Sequence, residues 1–161
     1  MRKLNSGNYA EIYNDAVGTA TEPGSTMKLA SMLVMLEDGV LDLDELITLD
    51  KGVLDICGET LHDSERHNIQ QATPQQIFEM SSNVGVAKLV TSKYNTDEKE
   101  KQFIRGLQEF RLDRKTNIEI VGEAEPHIRH PDKDKDWSCT SLPWTSIGYE
   151  MAITPLQMLT F

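Results

Sequence analysis

Two side chains that can cooperate in nucleophilic catalysis stand three residues apart, at Ser25 and Lys28. Residues at i and i+3 of a helix share a face, so the serine hydroxyl and the lysine amine can meet there. A serine becomes a good nucleophile when a base takes its proton, and a lysine is such a base when burial makes its neutral form accessible. The alternative interpretation is that Ser25 caps a helix while Lys28 extends to solvent.

The element that must hold this pair is a helix beginning near Ser25. The Pro23-Gly24 pair interrupts what precedes it, and residues 27–36 are apolar on nearly every side, which is typical of a helix inside a domain. The helix is predicted to end at Asp38-Gly39, a common glycine stop. Its positive N-terminal end would favour both a neutral amine and a developing serine alkoxide.

A second polar group, Ser81-Ser82-Asn83, lies between two apolar helical segments. Thr73-Pro74 opens the first segment, with a hydroxyl at the cap and proline at the first helical position. The second segment runs from residue 86 to about residue 94. Polar residues placed between such segments either cap and break a helix or face a site. By itself this group does not decide between the two.

The rest of the chain predicts short strands and one surface helix. Short strands or a small hairpin are expected over residues 47–49 and 53–56, with Gly52 and Gly58 as turn residues. A helix is expected over residues 97–110, because apolar residues recur there at helical spacing opposite a Glu/Lys-rich face. The residues of that apolar face are Phe103, Ile104, Leu107 and Phe110.

Composition excludes several classes of function. The 161 residues suffice for one domain, and a hydrophobic fraction of 39% with 26% charged residues is typical of a folded globular chain. The formal net charge of -10 provides no basic stripe for phosphates, so no nucleic-acid partner is expected. No apolar run approaches the length of a membrane span, and residues 1–8 do not form a signal peptide.

Cysteine and histidine spacing gives no metal motif. Cys57 and Cys139 stand far apart and outside a C-x-x-C spacing, so two buried free thiols are expected, with a disulfide as the alternative. His62 and His67, like His127 and His130, lack carboxylate or cysteine partners at ligand spacing. The sequence therefore predicts neither a metal nor a cofactor.

The two polar motifs together resemble the penicillin-recognising serine enzymes, whose signature set is S-x-x-K, S-x-N and K-T-G. Here Ser-Thr-Met-Lys at 25–28 follows Glu-Pro-Gly, and Ser-Ser-Asn-Val-Gly stands at 81–85. The sequence is most similar to the transpeptidase domain of class B penicillin-binding proteins, which cross-link peptidoglycan. The resemblance covers essentially the whole chain and includes residues 73–77, 118–124, 141–150 and 152–157.

This resemblance implies a role for each motif residue. Ser25 would be the acylated nucleophile, and its backbone N–H one oxyanion donor. Lys28 would be the base, Ser81 would relay its proton toward the leaving amine, and Asn83 would hold Lys28 and the substrate's peptide carbonyl. The implied ligands are stem peptides ending in D-Ala-D-Ala and β-lactams.

The resemblance also implies a setting. The parent protein would work with cell-wall synthesis proteins on the periplasmic side of the inner membrane. A transmembrane helix N-terminal to this sequence would anchor it there.

The third motif is missing from the sequence, which contains no K-T-G or K-S-G; Lys115-Thr116-Asn117 comes closest. Because the chain stops at Phe161, within a helix opened by Thr154-Pro155, it is expected to be a truncated transpeptidase domain over residues 1–161. The fold class expected is mainly α with a few short strands. It would be the helical subdomain of the α/β fold shared with β-lactamases, with the central sheet largely missing.

Two consequences are expected from such a truncation. The helix that starts at Met27 would expose apolar surface, so the chain would self-associate or be marginally stable. The fragment itself would be inactive without its third motif. Two alternative functions stay open: a serine β-lactamase or β-lactam sensor of the same superfamily, and a non-catalytic helical interaction module.

Overall fold

The computed structural model describes residues 2–10 and 13–161. The helices of these residues pack around two of their number, Met27–Glu37 and Asn83–Lys93. The helices are α1 (Asp15–Gly18), α2 (Met27–Glu37), α3 (Pro74–Glu79), α4 (Asn83–Lys93), α5 (Asp97–Glu109), α6 (Ser141–Ser146) and α7 (Pro155–Thr160). Helices α2 and α4 contribute nine of the 23 buried residues of the apolar core; α5 packs against α2, and α6 packs against both.

The strands of the described residues are short and pair in twos, always antiparallel. They are β1 (Arg2–Lys3) with β2 (Tyr9–Ala10), β3 (Ile47–Thr48) with β6 (Gln71–Ala72), β4 (Val53–Ile56) with β5 (Glu59–His62), and β7 (His127–Ile128) with β8 (Met151–Ala152). In the β4–β5 hairpin, Val53 lies opposite His62. The expected class, mainly α with a few short strands, is confirmed, and so is the strand at 53–56.

Two helices begin with the same local motif. Before α3, the Thr73 hydroxyl accepts from the Gln76 N–H, while the Gln76 side chain accepts from the Thr73 N–H at 3.0 Å. Thr154 and Gln157 repeat this arrangement before α7. Each such cap stabilises a helix by about 1 kcal/mol. The helix start predicted at Thr73-Pro74 is confirmed.

Helix α2 is held in the interior by polar contacts as well as by packing. Its Ser31 hydroxyl donates to the Ser146 carbonyl of α6 at 2.7 Å, with both residues fully buried. The Tyr94 hydroxyl, after α4, donates to Asp38 at the C-terminal end of α2 at 2.6 Å. These bonds join the middle and the C-terminal end of α2 to neighbouring elements, which fixes the helix that follows Ser25.

The predicted surface helix is also confirmed. Phe103, Ile104 and Leu107 of α5 are fully buried, as their spacing indicates. Phe103 lies against Tyr94 with ring centroids 5.2 Å apart. Lys101, on the outer face, pairs with Asp132 at 2.8 Å. The charged run at 97–101 is thus the outer face of an amphipathic helix.

The expectation of two buried free thiols is wrong. Cys57 and Cys139 are exposed and form a disulfide with an S–S distance of 2.03 Å. Cys57 occupies the turn between β4 and β5, and Cys139 lies just before α6. The sequence did not indicate this pairing because 82 residues separate the two cysteines and the packing of the hairpin beside α6 brings them together.

An apolar face of α2 is exposed, as the sequence predicts. Leu29 and Leu36 are each 45% exposed, and Leu159 of α7 is 81% exposed. Across residues 2–10 and 13–161 no helix is long and apolar enough to cross a membrane.

Candidate active site

Ser25 lies in a single turn of 3-10 helix, Gly24–Thr26, that leads directly into α2. The regular helix thus begins two residues later than the nucleophile position that the sequence indicates. Ser25 is exposed, whereas Lys28 on the next turn is 1% exposed. The hydroxyl is therefore accessible to a substrate while the amine is shielded from water.

Gly148 fixes the backbone that carries Ser25. The Gly24 N–H donates to the Gly148 carbonyl at 3.1 Å. Gly148 has a φ of +89°, and a Cβ at this position would lie 2.1 Å from the Gly24 carbonyl oxygen. Real Cβ contacts are never this short, so only glycine fits between the serine turn and the loop after α6.

We predict that Gly148→Ala lowers the rate of acylation of Ser25 roughly 100-fold, because the added methyl group must displace the serine turn. The measurement is the rate of labelling by a fluorescent penicillin in the full-length protein. Gly58→Ala is the matched control: Gly58 has the same φ of +89° but nothing within 4 Å of its would-be Cβ. Equal labelling rates for both variants would contradict a positioning role for Gly148.

Lys28 contacts the second motif rather than the first. Its Nζ donates to the Ser81 carbonyl at 2.5 Å and to the Ser81 hydroxyl at 3.0 Å. Among the hydrogen bonds of the described residues, none joins Lys28 Nζ to the Ser25 hydroxyl. The structure thus brings Lys28 and Ser81 together across 53 residues of sequence, with Ser25 one helical turn away.

Burial changes the acidity of this amine. Desolvation lowers the pKa of Lys28 from its ordinary 10.5 to about 8, although the negative charge of Asp63 acts in the opposite direction. At neutral pH a fraction of roughly one tenth is then neutral. An amine of this kind can accept a proton from a nearby serine hydroxyl without a strong external base.

Ser81 adopts a backbone conformation that is rare for serine. It follows the C-terminal end of α3 with a φ of 55°, in the left-handed region. Its N–H donates to the Phe78 carbonyl, and the Ser82 N–H donates to the Ile77 carbonyl, both at 3.0 Å. This is the Schellman ending of a helix, where glycine is usual. A serine at this strained position indicates that its hydroxyl has a function that outweighs the cost of the strain to the stability of the helix end.

We predict that Ser81→Gly raises the free energy of unfolding by about 0.5–1 kcal/mol, because glycine adopts this φ without strain. The same change removes the Ser81 hydroxyl that is hydrogen-bonded to Lys28. It should slow acylation at least tenfold, which is the usual contribution of a proton relay. Denaturant unfolding and penicillin labelling measure the two effects. Ser81→Ala should slow acylation equally without the gain in stability; a normal rate in either variant would exclude a proton relay through Ser81.

Asn83 is the first residue of α4, and its side chain bonds to strand β5 rather than to Lys28. The Asn83 amide nitrogen donates to the His62 carbonyl at 2.8 Å, and no hydrogen bond of the described residues joins it to Lys28. The side chain is half-exposed beside the Ser81 turn. In this structure its amide therefore fixes the end of strand β5 against α4.

Asp63 is a site residue that sequence reasoning missed. Its side chain is 5% exposed and lies at the N-terminus of α4, where it accepts from the Val84 N–H at 2.9 Å and from the Ser82 hydroxyl at 2.9 Å. His67 Nε2 lies 2.8 Å from Oδ2, the carboxylate oxygen that also accepts from the Ser82 hydroxyl. The one available signal is the Asp-x-x-x-His spacing within a stretch that otherwise resembles a polar connection.

Asp63 is held as an anion by these partners. Burial alone would raise its pKa, but hydrogen bonds from His67, the Val84 N–H and the Ser82 hydroxyl outweigh burial and keep the pKa below its usual range. The partial positive charge of the α4 N-terminus acts in the same direction. The site therefore contains a buried amine that binds Ser81 and a buried carboxylate that binds the next residue, Ser82.

An apolar cavity of about 710 Å³ opens beside Ser25. Pro23, Leu29 and Phe78 line one side, and residues of α7 line the other. No group of three or more His, Cys, Asp or Glu side chains in the described part of the chain is placed to hold a metal ion. The arrangement suits acyl transfer to a serine. It provides the exposed Ser25 hydroxyl, the buried Lys28 amine, the Ser81 hydroxyl hydrogen-bonded to that amine, and space for an acyl donor.

Comparison with known proteins places this geometry in a family. The family described as "Penicillin binding protein transpeptidase domain" matches residues 2–161. Penicillin-binding protein PbpB of Mycolicibacterium smegmatis is 29% identical over 148 residues, which are 92% of this chain and 22% of that protein. Peptidoglycan D,D-transpeptidase FtsI of Buchnera aphidicola is 30% identical over 147 residues, which are 91% of this chain and 24% of that protein.

A solved structure agrees with the sequence relatives. Penicillin binding protein 3 of Mycobacterium tuberculosis, complexed with aztreonam, superposes with a TM-score of 0.79 at 27% identity, over 98% of this chain and 33% of that one. The chain spans about a quarter or less of the length of the curated relatives it matches. It belongs to the family of penicillin-binding protein transpeptidase domains.

Proposed function

We propose that this chain is part of a peptidoglycan D,D-transpeptidase that cross-links stem peptides through an acyl-Ser25 intermediate. The observation that carries the proposal is the buried Lys28 amine, 3.0 Å from the Ser81 hydroxyl and one turn from the exposed Ser25. Family membership supports the same chemistry, since the relatives include a D,D-transpeptidase. A non-catalytic helical module would have no need for a buried amine beside two hydroxyls.

The proposed reaction assigns one task to each of these groups. Neutral Lys28 takes the proton of Ser25 Oγ, which attacks the carbonyl carbon between the two terminal D-Ala residues. The proton passes by way of Ser81 to the amine of the departing D-Ala as the C–N bond breaks, leaving an ester on Ser25. The amine of a second stem peptide then attacks the ester, and its proton returns through the same groups.

The oxyanion and the substrate need their own hydrogen bonds. The Ser25 N–H, at the start of α2, is proposed as one oxyanion donor. Asn83 is proposed to bind the substrate's peptide carbonyl, which requires its amide to exchange the His62 carbonyl for the substrate. Its proposed contact with Lys28 would likewise form only on acylation.

We also propose that the apolar face of α2 and α7 packs against the rest of the domain's sheet in the full-length protein. Leu29, Leu36 and Leu159 are exposed, and exposed apolar residues contiguous with a 710 Å³ cavity are unusual on a free surface. The isolated chain should then self-associate through this face. Sedimentation of the isolated chain as a stable monomer would contradict this expectation.

The experiment for the proposed function is labelling of the full-length protein with a penicillin, followed by intact-mass measurement and peptide mapping. The β-lactam carbonyl should be esterified by Ser25, and Ser25→Ala should carry no adduct. The full-length protein is needed because the third motif, K-T-G, is absent from residues 1–161. No adduct on the folded full-length protein would exclude the proposed function.

The lifetime of the adduct separates the related functions. A transpeptidase should accumulate the penicilloyl ester on Ser25 as a stable adduct in the intact-mass measurement. A serine β-lactamase releases hydrolysed penicillin with repeated turnover. We propose the cell envelope as the setting of the parent protein, with cell-wall synthesis proteins as partners and β-lactams as inhibitors.

A further inference from the structure

The Asp63 carboxylate contacts the S-x-N turn, residues 81–83, on both sides of Asn83. It accepts from the Ser82 hydroxyl and from the Val84 N–H, both at 2.9 Å. These two residues flank Asn83 directly. Because Ser82 follows Ser81, the same carboxylate fixes the exit of the turn whose other end holds Lys28.

The Ser82 hydroxyl connects these contacts to the helix. It donates to Asp63 and accepts from the Gly85 N–H at 2.9 Å, so it caps α4 while bound to the carboxylate. Ser82 is 1% exposed, so water cannot replace either partner. Loss of Asp63 would leave a buried hydroxyl and a buried N–H without their acceptor.

The backbone of Asp63 ties the turn to the hairpin. Its N–H donates to the Gly52 carbonyl at 2.9 Å, and it directly follows strand β5, whose last residue, His62, accepts from the Asn83 amide. Asp63 therefore joins the hairpin, the S-x-N turn and the start of α4. His67 Nε2, 2.8 Å from the carboxylate, is a further contact that holds Asp63 in place.

We propose that Asp63 is a positioning residue of the acylation site, which fixes the Ser81–Asn83 turn through Ser82 and Val84 and imposes a negative field on Lys28. This inference rests on the proposed function. Among the hydrogen bonds of the described residues none joins Asp63 to Ser25, so Asp63 would act through the turn and through its charge. The other ionisable groups around the cleft that Asp63 shares with Ser81 are Glu65, Arg66, His67 and Glu79.

The two effects of Asp63 can be measured separately with two variants. Asp63→Asn removes the charge and weakens the turn, whereas Ser82→Ala weakens the turn and keeps the charge. Removing the charge should lower the pKa of Lys28 further, since the field of Asp63 opposes the effect of burial. Weakening the turn should lower the maximal acylation rate without moving its pH midpoint.

The first measurement is a titration of the full-length protein labelled with ε-¹³C lysine, in which Lys28 is assigned by the resonance missing from Lys28→Met. Lys28 should titrate near pH 8, and Asp63→Asn should lower its midpoint by at least ~0.5 pH unit. Ser82→Ala and the control Asp132→Asn, a surface carboxylate paired with Lys101, should leave it unchanged.

The second measurement is the pH profile of penicillin acylation in the full-length protein. Asp63→Asn should move the acidic limb to lower pH and reduce the plateau, and Ser82→Ala should reduce only the plateau, roughly tenfold. An unchanged Lys28 midpoint and an unchanged acidic limb in Asp63→Asn would overturn the proposal, since a purely structural role moves neither. If Asp63→Asn does not fold, Ser82→Ala decides: a full plateau rate overturns the positioning role.

The outcome also distinguishes failure of this inference from failure of the proposed function. If the wild-type protein forms the Ser25 adduct but the variants behave as the control, the inference about Asp63 fails alone. If the wild-type protein forms no adduct, the proposed function fails, whatever the lysine titration shows.

Discussion

Replacing Lys28 by methionine is expected to lower the acylation rate of Ser25 by ~10²–10⁴-fold, the usual contribution of a positioned general base. Methionine keeps the length and the packing of the side chain but cannot accept a proton. The second-order rate of penicillin labelling in the full-length protein measures the effect. A variant that is acylated at the wild-type rate would show that another group deprotonates Ser25.

The same substitution should make the protein more stable. The Lys28 ammonium is almost fully buried and both its hydrogen-bond partners are neutral groups of Ser81, so the field of Asp63 offsets only part of the cost of removing it from water. Methionine removes this penalty, and the exposed Ser81 can bond to water instead. We expect a gain on the order of 1–3 kcal/mol at pH 7, measured by denaturant unfolding.

The gain in stability should depend on pH in a defined direction. The pKa of Lys28 is about 8 in the folded protein and 10.5 ordinarily, so between these values the unfolded chain binds more protons than the folded one. Stability due to this group therefore rises with pH from about 8 to 10.5. The advantage of Lys28→Met should shrink across that window, and a constant difference between the two proteins would show that burial does not lower the pKa.

Much of the site is predictable because its motifs are local. The spacing of Ser25 and Lys28 follows from helix geometry, and Thr73-Pro74 marks the start of α3 by its capping chemistry. The spacing does not predict the partner of the amine, however. Lys28 bonds to Ser81 in this structure, and that contact depends on the packing of α4 against α2 and of α3 against α4.

The parts that could not be predicted depend on contacts distant in sequence. Asp63 lies in a polar stretch without periodicity, and its place at the N-terminus of α4 is set by the register of the β4–β5 hairpin. In the sequence Gly148 is indistinguishable from an ordinary turn glycine, because its close contact with Gly24 exists only in the folded chain. The left-handed backbone conformation of Ser81 could not be predicted either, since a serine near a helix end usually indicates a cap.

Loss of the Cys57–Cys139 disulfide is expected to lower the free energy of unfolding by about 2–5 kcal/mol, the range for native disulfides that close long loops. The bond joins residues separated by 82 positions, so the oxidised unfolded chain loses much of its conformational freedom. For a chain of this size the loss corresponds to a decrease in Tm of roughly 5–20 °C. Thermal unfolding of the double variant Cys57→Ser/Cys139→Ser measures it.

Reduction provides the control for this prediction. The wild-type protein treated with a thiol reductant should unfold at the same temperature as the double serine variant, and the variant itself should not respond to the reductant. Because both cysteines are exposed, the reductant reaches the bond without prior unfolding. The effect should concentrate in the β4–β5 hairpin, where Cys57 occupies the turn, so amide exchange there should accelerate most. A wild-type Tm that is the same with and without reductant would show that packing alone holds the hairpin beside α6.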